Sequence, residues 1–153
     1  MENTSLINAK ANIRGGKKFP NINGEVYFRQ TTNGVIVTTR IYNLPSSSNV
    51  CNSRIFGFHI HSGNSCSGDT NDEFKNALGH YNPNNCNHPH HAGDLLPIFE
   101  NNGYAYSSFL TNRFKVSDII GKVVILHDMP DDFTTNPSGN SGNKIACGII
   151  EKI

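Results

Sequence analysis

Apolar residues recur at every second position in seven short stretches of this chain, and that alternation does most to limit its fold. The stretches are Ala9 to Arg14, Glu25 to Gln30, Val35 to Asn43, Ile55 to His61, Tyr104 to Thr111, Lys122 to His127 and Lys144 to Ile150. A period of two places one set of side chains on each face of a pleated strand. Thr32-Asn33-Gly34 supplies a turn between the second and third stretches, so these two form a hairpin. Helical periodicity is confined to about one turn at Phe74 to Leu78 and another at Val116 to Ile120. Seven or eight strands with turn punctuation predict an all-β sandwich or barrel. At 153 residues the chain is expected to be one domain over 1–153. A chain of that length buries roughly 70% of its unfolded surface, enough for a real core.

Two segments do not read as strands. Residues 62–96 are rich in Gly, Asn, Pro, Asp and His, and residues 128–143 in Asp, Pro, Ser and Gly. Loops this long are usually functional or disordered. The first carries four histidines and follows two more, so a metal can supply the order that a core cannot. A formal net charge of +1, without a basic run, argues against a nucleic-acid partner. No apolar run approaches the ~20 residues of a membrane-spanning helix. The first residues, MENTSLINAKANIRGG, lack the apolar centre of a signal peptide. The expected compartment is therefore the cytoplasm unless a leader has been removed. The four cysteines, Cys51, Cys66, Cys86 and Cys147, favour disulfides and thus an oxidising compartment. None forms a C-x-x-C pair, which argues against a zinc knuckle or a thioredoxin-like motif. Asn3-Thr4-Ser5 matches a glycosylation sequon by pattern alone.

The chemistry is concentrated in the histidines, six of whose seven lie between residues 59 and 91. In Ile55-Phe56-Gly57-Phe58-His59-Ile60-His61 the pleat sends Phe56, Phe58 and Ile60 to the core and Gly57, His59 and His61 to the other face. The two imidazoles are then ~6.5–7 Å apart on one face, close enough to converge on one ion. His80 follows in Gly79-His80-Tyr81-Asn82-Pro83, and His88, His90, His91 and Asp94 crowd the next segment. His127 closes Val123-Val124-Ile125-Leu126-His127, sharing a face with Ile125 while Val124 and Leu126 take the core. Imidazole with carboxylate suits zinc or copper and suits calcium poorly.

The pieces GFHIH, GHYNP, HAGDL, LHDMPDD and GNSGNKIACGII, in that order, make the sequence resemble the copper/zinc superoxide dismutases over nearly the whole chain. The likeness is to the bacterial kind, with a short loop before the last strand. It implies a Greek-key β-sandwich or flattened barrel of about eight antiparallel strands with two long functional loops. It implies copper ligands His59, His61, His80 and His127, and zinc ligands His80, His88, His91 and Asp94. His80 bridges the two metals, and His90 competes with His88 for the third zinc position. The zinc set is closed, as in structural zinc sites. Asp131 corresponds to an aspartate that accepts hydrogen bonds from one imidazole of each metal, fixing their tautomers. The resemblance also pairs Cys66 with Cys147. Cys51 and Cys86 are left, and are expected to form a second bridge or to remain buried thiols.

The implied activity is conversion of superoxide to dioxygen and hydrogen peroxide by redox cycling of copper. His80 supplies a proton as its bond to copper breaks and re-forms. A cation beside the copper should steer the small anionic substrate. The family usually places arginine there, three residues before the last-strand cysteine, and this chain has Lys144. Lysine keeps the charge but loses the planar fork. The alternative is a non-enzymatic copper- and zinc-binding protein on the same scaffold. Filled copper positions argue against that, and the absence of a separate C-x-x-C delivery domain argues against a copper chaperone. Monomer and homodimer are both compatible with the sequence.

Overall fold

The structure is a computed structural model that describes residues 8–153, so the Asn3-Thr4-Ser5 sequon lies outside the described residues. In chain order the strands are β1 (Asn8–Gly15), β2 (Asn23–Thr31), β3 (Gly34–Tyr42), β4 (Ile55–Phe56), β5 (Phe58–His61), β6 (Ile98–Phe99), β7 (Ala105–Thr111), β8 (Val123–His127) and β9 (Lys144–Lys152). One short helix, α1 (Val116–Ile119), and two 3-10 turns, Val50–Asn52 and Lys75–Ala77, complete the elements. Seven strands form one antiparallel sheet in the order β5-β8-β9-β1-β2-β3-β7, and β4 and β6 form a small second ladder. β4 runs into β5 at one edge of the large sheet, and β6 leads into β7 at the other. Their ladder, Ile55 opposite Phe99 and Phe56 opposite Ile98, ties the two edges together. The architecture is the all-β, curled antiparallel barrel expected from the alternation.

The core follows the period of two. Ala9, Ala11 and Ile13 of β1 and Val26 and Phe28 of β2 are fully buried on the inner face. So are Phe56, Phe58, Ile60, Val124 and Leu126. The outer face of β8 is not left to solvent. Val123, Ile125 and Cys147 pack with Phe74 and Ala77, which belong to the long loop after β5. A disulfide between Cys66 and Cys147, with Cα atoms 5.7 Å apart, fixes that loop to β9. The outward-facing histidines of β5 are thereby covered, His59 being 0% and His61 2% exposed.

One expectation is corrected. Cys51 and Cys86 do not pair, and both are free thiols. Asn82 keeps Cys86 inside its own loop, its side chain accepting from the Cys86 N–H at 2.9 Å and donating to the Cys86 carbonyl at 2.8 Å. Cys51 sits exposed on the Val50–Asn52 turn. Among the described residues no helix is long and apolar enough to cross a membrane.

Candidate metal centre

β5 and β8 pair antiparallel, with His59 opposite Ile125 and His61 opposite Val123. The free side of β5 is occupied by the long loop. Ile60 donates to the Gly93 carbonyl and accepts from Tyr81, each at 2.8 Å, and Ser62 donates to Gly79 at 2.9 Å. Single bridges set His80 beside His61 and Asp94 beside His59. Edge-strand hydrogen bonding thus delivers the loop histidines to the strand histidines. At the end of β8 the register with β9 shifts between Leu126 and His127, which re-aims the last imidazole. Gly57 lets the second loop pass close above this strand: its N–H donates to Met129 O, and a Cβ there would lie 2.6 Å from Ser141 Oγ.

Two groups of side chains result. His59, His61, His80 and His127 present ligand atoms that all lie within 4.8 Å of one another, and so do His80, His88, His91 and Asp94. His80 belongs to both. His90, adjacent to the second group in sequence, is exposed and outside it.

The hydrogen bonds dictate which nitrogens face inward. Asp131 accepts from His59 Nε2 through Oδ2 and from His88 Nε2 through Oδ1, both at 2.7 Å. Its Oδ1 also accepts from the Phe133 N–H at 2.7 Å. His61 Nδ1 donates to the Leu78 carbonyl at 2.7 Å, leaving its Nε2 as a lone pair 3.3 Å from His127 Nε2. His80 Nδ1 lies 2.7 Å from Asp94 Oδ1 and 3.3 Å from His91 Nδ1. The buried atoms left without a hydrogen-bond partner include His59 Nδ1, His80 Nε2 and His88 Nδ1, the last lying 3.1 Å from Asp94 Oδ2. Buried nitrogens without partners, and imidazole nitrogens meeting at 3.3 Å, are costly unless a cation accepts them. Imidazole donors with a single carboxylate fit copper and zinc.

The electrostatics keep these groups in their ligating forms. Burial, followed by the neighbouring His127 and His80, drives His61 well below its ordinary value. Burial and then His59 push His127 down to about 3, with smaller contributions from His80 and Lys144. Burial also lowers His59, against the opposing pull of Asp131, and lowers His91. Burial would raise Asp131, but the hydrogen bonds from His59, Phe133 and His88 outweigh it and hold it at about 2. All four histidines are neutral and the carboxylate is ionised near neutral pH, as metal ligation and its support require.

Lys144 opens β9, opposite His127 in the ladder, and its ammonium contacts Asp72 of the long loop. Three further participants escape sequence reading. Arg113 directs Nη1 at the carbonyls of Pro89, His91 and Asp94, at 2.8, 3.3 and 3.2 Å. Gly139, at φ +68°, passes so close to Asp131 that a Cβ would sit 2.1 Å from Oδ1 and 2.7 Å from His88 Nε2. The Leu78 carbonyl orients His61. A carbonyl or a bare Cα leaves no mark in residue type, and nothing in the sequence around Arg113 distinguishes it.

A curled antiparallel barrel carrying two histidine-rich clusters that share one imidazole defines a class of metalloprotein with paired metal positions on the outer wall of the sheet. Comparison with known proteins narrows that class. Residues 22–150 match the family described as copper/zinc superoxide dismutase (SODC). The chain is 35% identical over 136 residues to a superoxide dismutase [Cu-Zn] of Legionella pneumophila, covering 84% of this chain and 77% of that protein. It is 30% identical over 142 residues to superoxide dismutase [Cu-Zn] 2 of Aquifex aeolicus, covering 83% and 78%. The solved Cu/Zn superoxide dismutase from Brucella abortus superposes with a TM-score of 0.79 over 94% of this chain and 99% of that one. At 23% identity that match speaks for the fold. The chain belongs to the copper/zinc superoxide dismutase family. It is an oxidoreductase whose cofactors are copper and zinc.

Proposed function

We propose that His59, His61, His80 and His127 hold copper, that His80, His88, His91 and Asp94 hold zinc, and that the pair dismutes superoxide. The observation that carries this is the sharing of His80 by two clusters, each with ligand atoms within 4.8 Å. Buried nitrogens without a hydrogen-bond partner support both positions: His59 Nδ1 and His80 Nε2 toward copper, and His88 Nδ1, 3.1 Å from Asp94 Oδ2, toward zinc. The reaction consumes two superoxide anions and two protons and yields one dioxygen and one hydrogen peroxide. Copper, when bound, supplies the one-electron redox change.

The protein's own residues do the rest. His80 Nδ1 is held beside Asp94, so its ring keeps its position whether or not Nε2 carries a proton. Nε2 is then the atom at which a proton for the departing peroxide is held. Asp131 joins the two clusters through His59 and His88 and fixes both tautomers with Nδ1 inward. Lys144 supplies the cation that draws the substrate anion toward His127. The Cys66–Cys147 bridge, which secures the covering loop, supports an oxidising compartment.

The test is metal analysis of the reconstituted protein together with a superoxide dismutation assay. Full copper and zinc with dismutation is the expected result, and full copper without dismutation would discard the enzyme reading. His80→Ala should leave two separately loaded sites, and the Cu(II) spectrum should no longer respond to zinc removal. A spectrum that still follows zinc occupancy would contradict the bridge.

A further inference from the structure

The reading of Lys144 as the docking cation, on which this inference rests, meets a complication in the structure. The Lys144 ammonium lies 2.5 Å from Asp72 Oδ2, the two side chains being 17% and 40% exposed. Asp72 is itself firmly placed. Its Oδ1 accepts from the Phe74 N–H at 3.1 Å, and its carbonyl accepts from Asp69 at 3.0 Å and Lys75 at 3.1 Å. Lys144 and Asp72 line one cavity of about 510 Å³ together with Lys17, Lys18 and Glu73. Lys75, a further nearby cation, is paired with Asp69 at 3.0 Å.

We propose that Asp72 is a positioning residue that competes with incoming anions for Lys144, so that an anion docks by displacing a carboxylate from the ammonium. The pair is suited to exchange. A partly exposed ion pair is worth only about 0–1 kcal/mol, little enough for a second anion to replace it. A lysine head on a flexible stem can turn from one oxygen donor to another, which a bidentate arginine does less readily. A purely structural role, stapling the long loop to β9, would affect stability and leave anion binding alone.

Asp72→Asn separates these roles, because asparagine keeps the Oδ1 acceptor for Phe74 and removes only the charge. The probe is azide, titrated optically into the copper- and zinc-loaded protein. A second readout is the rate at which an amine-specific reagent labels Lys144 in the metal-free protein. Asp72→Asn should bind azide about three- to fivefold more tightly at low salt, the scale of an exposed ion pair. The gain should shrink as ionic strength rises, and Lys144 should label faster. In a Lys144→Gln background the same substitution should change nothing. If Lys144→Gln weakens azide binding while Asp72→Asn leaves azide and labelling unchanged, this inference falls and the docking reading stands. If Lys144→Gln has no effect on azide, both fall. A gain that persists in the Lys144→Gln background also overturns the proposal, since the carboxylate would then act without the lysine.

Discussion

Gly139→Ala is the sharpest available probe of the link between the two loops. Gly139 has φ +68°, a region in which a side chain costs roughly 1–2 kcal/mol. Its new Cβ would fall 2.1 Å from Asp131 Oδ1 and 2.7 Å from His88 Nε2. The backbone cannot easily retreat. Gly139 donates to Thr135 O at 2.7 Å, and its carbonyl accepts from Asp132 at 2.9 Å. The carboxylate cannot easily retreat either, since His59, His88 and Phe133 all donate to it. The contact that yields is the His88–Asp131 hydrogen bond, and a buried charged acceptor left short of a donor costs about 1–3 kcal/mol. The sum is about 2–5 kcal/mol. At about 3 °C per kcal/mol for a chain of this size, the metal-free variant should melt roughly 5–15 °C lower. Because His88 loses its orienting partner, zinc affinity measured by chelator competition should drop about 10- to 100-fold. Gly79→Ala is the control. A Cβ there meets nothing within 4 Å, so both readouts should match the parent. A Gly139→Ala protein that melts within about 1 °C of the parent and holds zinc within about twofold would refute the steric argument.

The metal-free protein should lose stability as pH falls from about 6.5 to about 3, because folded His127 titrates near 3 and the unfolded chain near 6.5. The folded form binds fewer protons across that window, so acid favours unfolding, by on the order of 5 kcal/mol from His127 alone. A melting temperature of the metal-free protein that stays flat over the window would count against it. Cys147→Ser opens a loop of sequence separation 81 and should lower unfolding free energy by about 4–5 kcal/mol in denaturant titrations. A loss below about 1 kcal/mol would remove the bridge from the account of stability. Under the same conditions the unfolded parent should titrate two thiols, Cys51 and Cys86, of which Cys51 is already exposed in the folded protein. Arg113→Met should weaken zinc by about tenfold or more while copper is retained, and Arg113→Lys should restore part of the loss. Unchanged chelator competition would exclude a positioning role for the guanidinium.

The strands that carry a one-sided core were legible because their alternation is the pleat itself. β1, β2, β3, β7, β8 and β9 all fall on stretches that alternate in the sequence. Ile98–Phe99 was not, since two residues are too few to alternate, and their pairing with Ile55–Phe56 depends on how the sheet curls. The alternation predicts one strand from Ile55 to His61, whereas Gly57 divides it between two ladders. His59 and His61 could be placed on the face opposite the aromatic stripe, but not in the dark interior they occupy. That burial comes from a loop docked by Cys66 and Phe74, which no local pattern announces. His88 and His90 flank Pro89 symmetrically in sequence. Only the position of Asp131, more than forty residues away, distinguishes the buried ring from the exposed one. Counting cysteines suggested a second bridge, and an asparagine turn around Cys86 holds that thiol elsewhere.

The division of labour in the sheet also bears on the order in which the chain assembles. β1, β2 and β3 form a meander of neighbouring hairpins, and none of the metal-cluster residues lies on them. The strand histidines, His59, His61 and His127, belong instead to pairings that join distant parts of the chain, β5 with β8 and β8 with β9. Loop-closure entropy makes short-range hairpins the faster events and long-range ladders the slower ones. The topology therefore predicts that the meander can form without metal and that the ion-binding edge closes last. Copper and zinc then act late on the folding path, slowing the opening of that edge more than they speed the chain's first collapse.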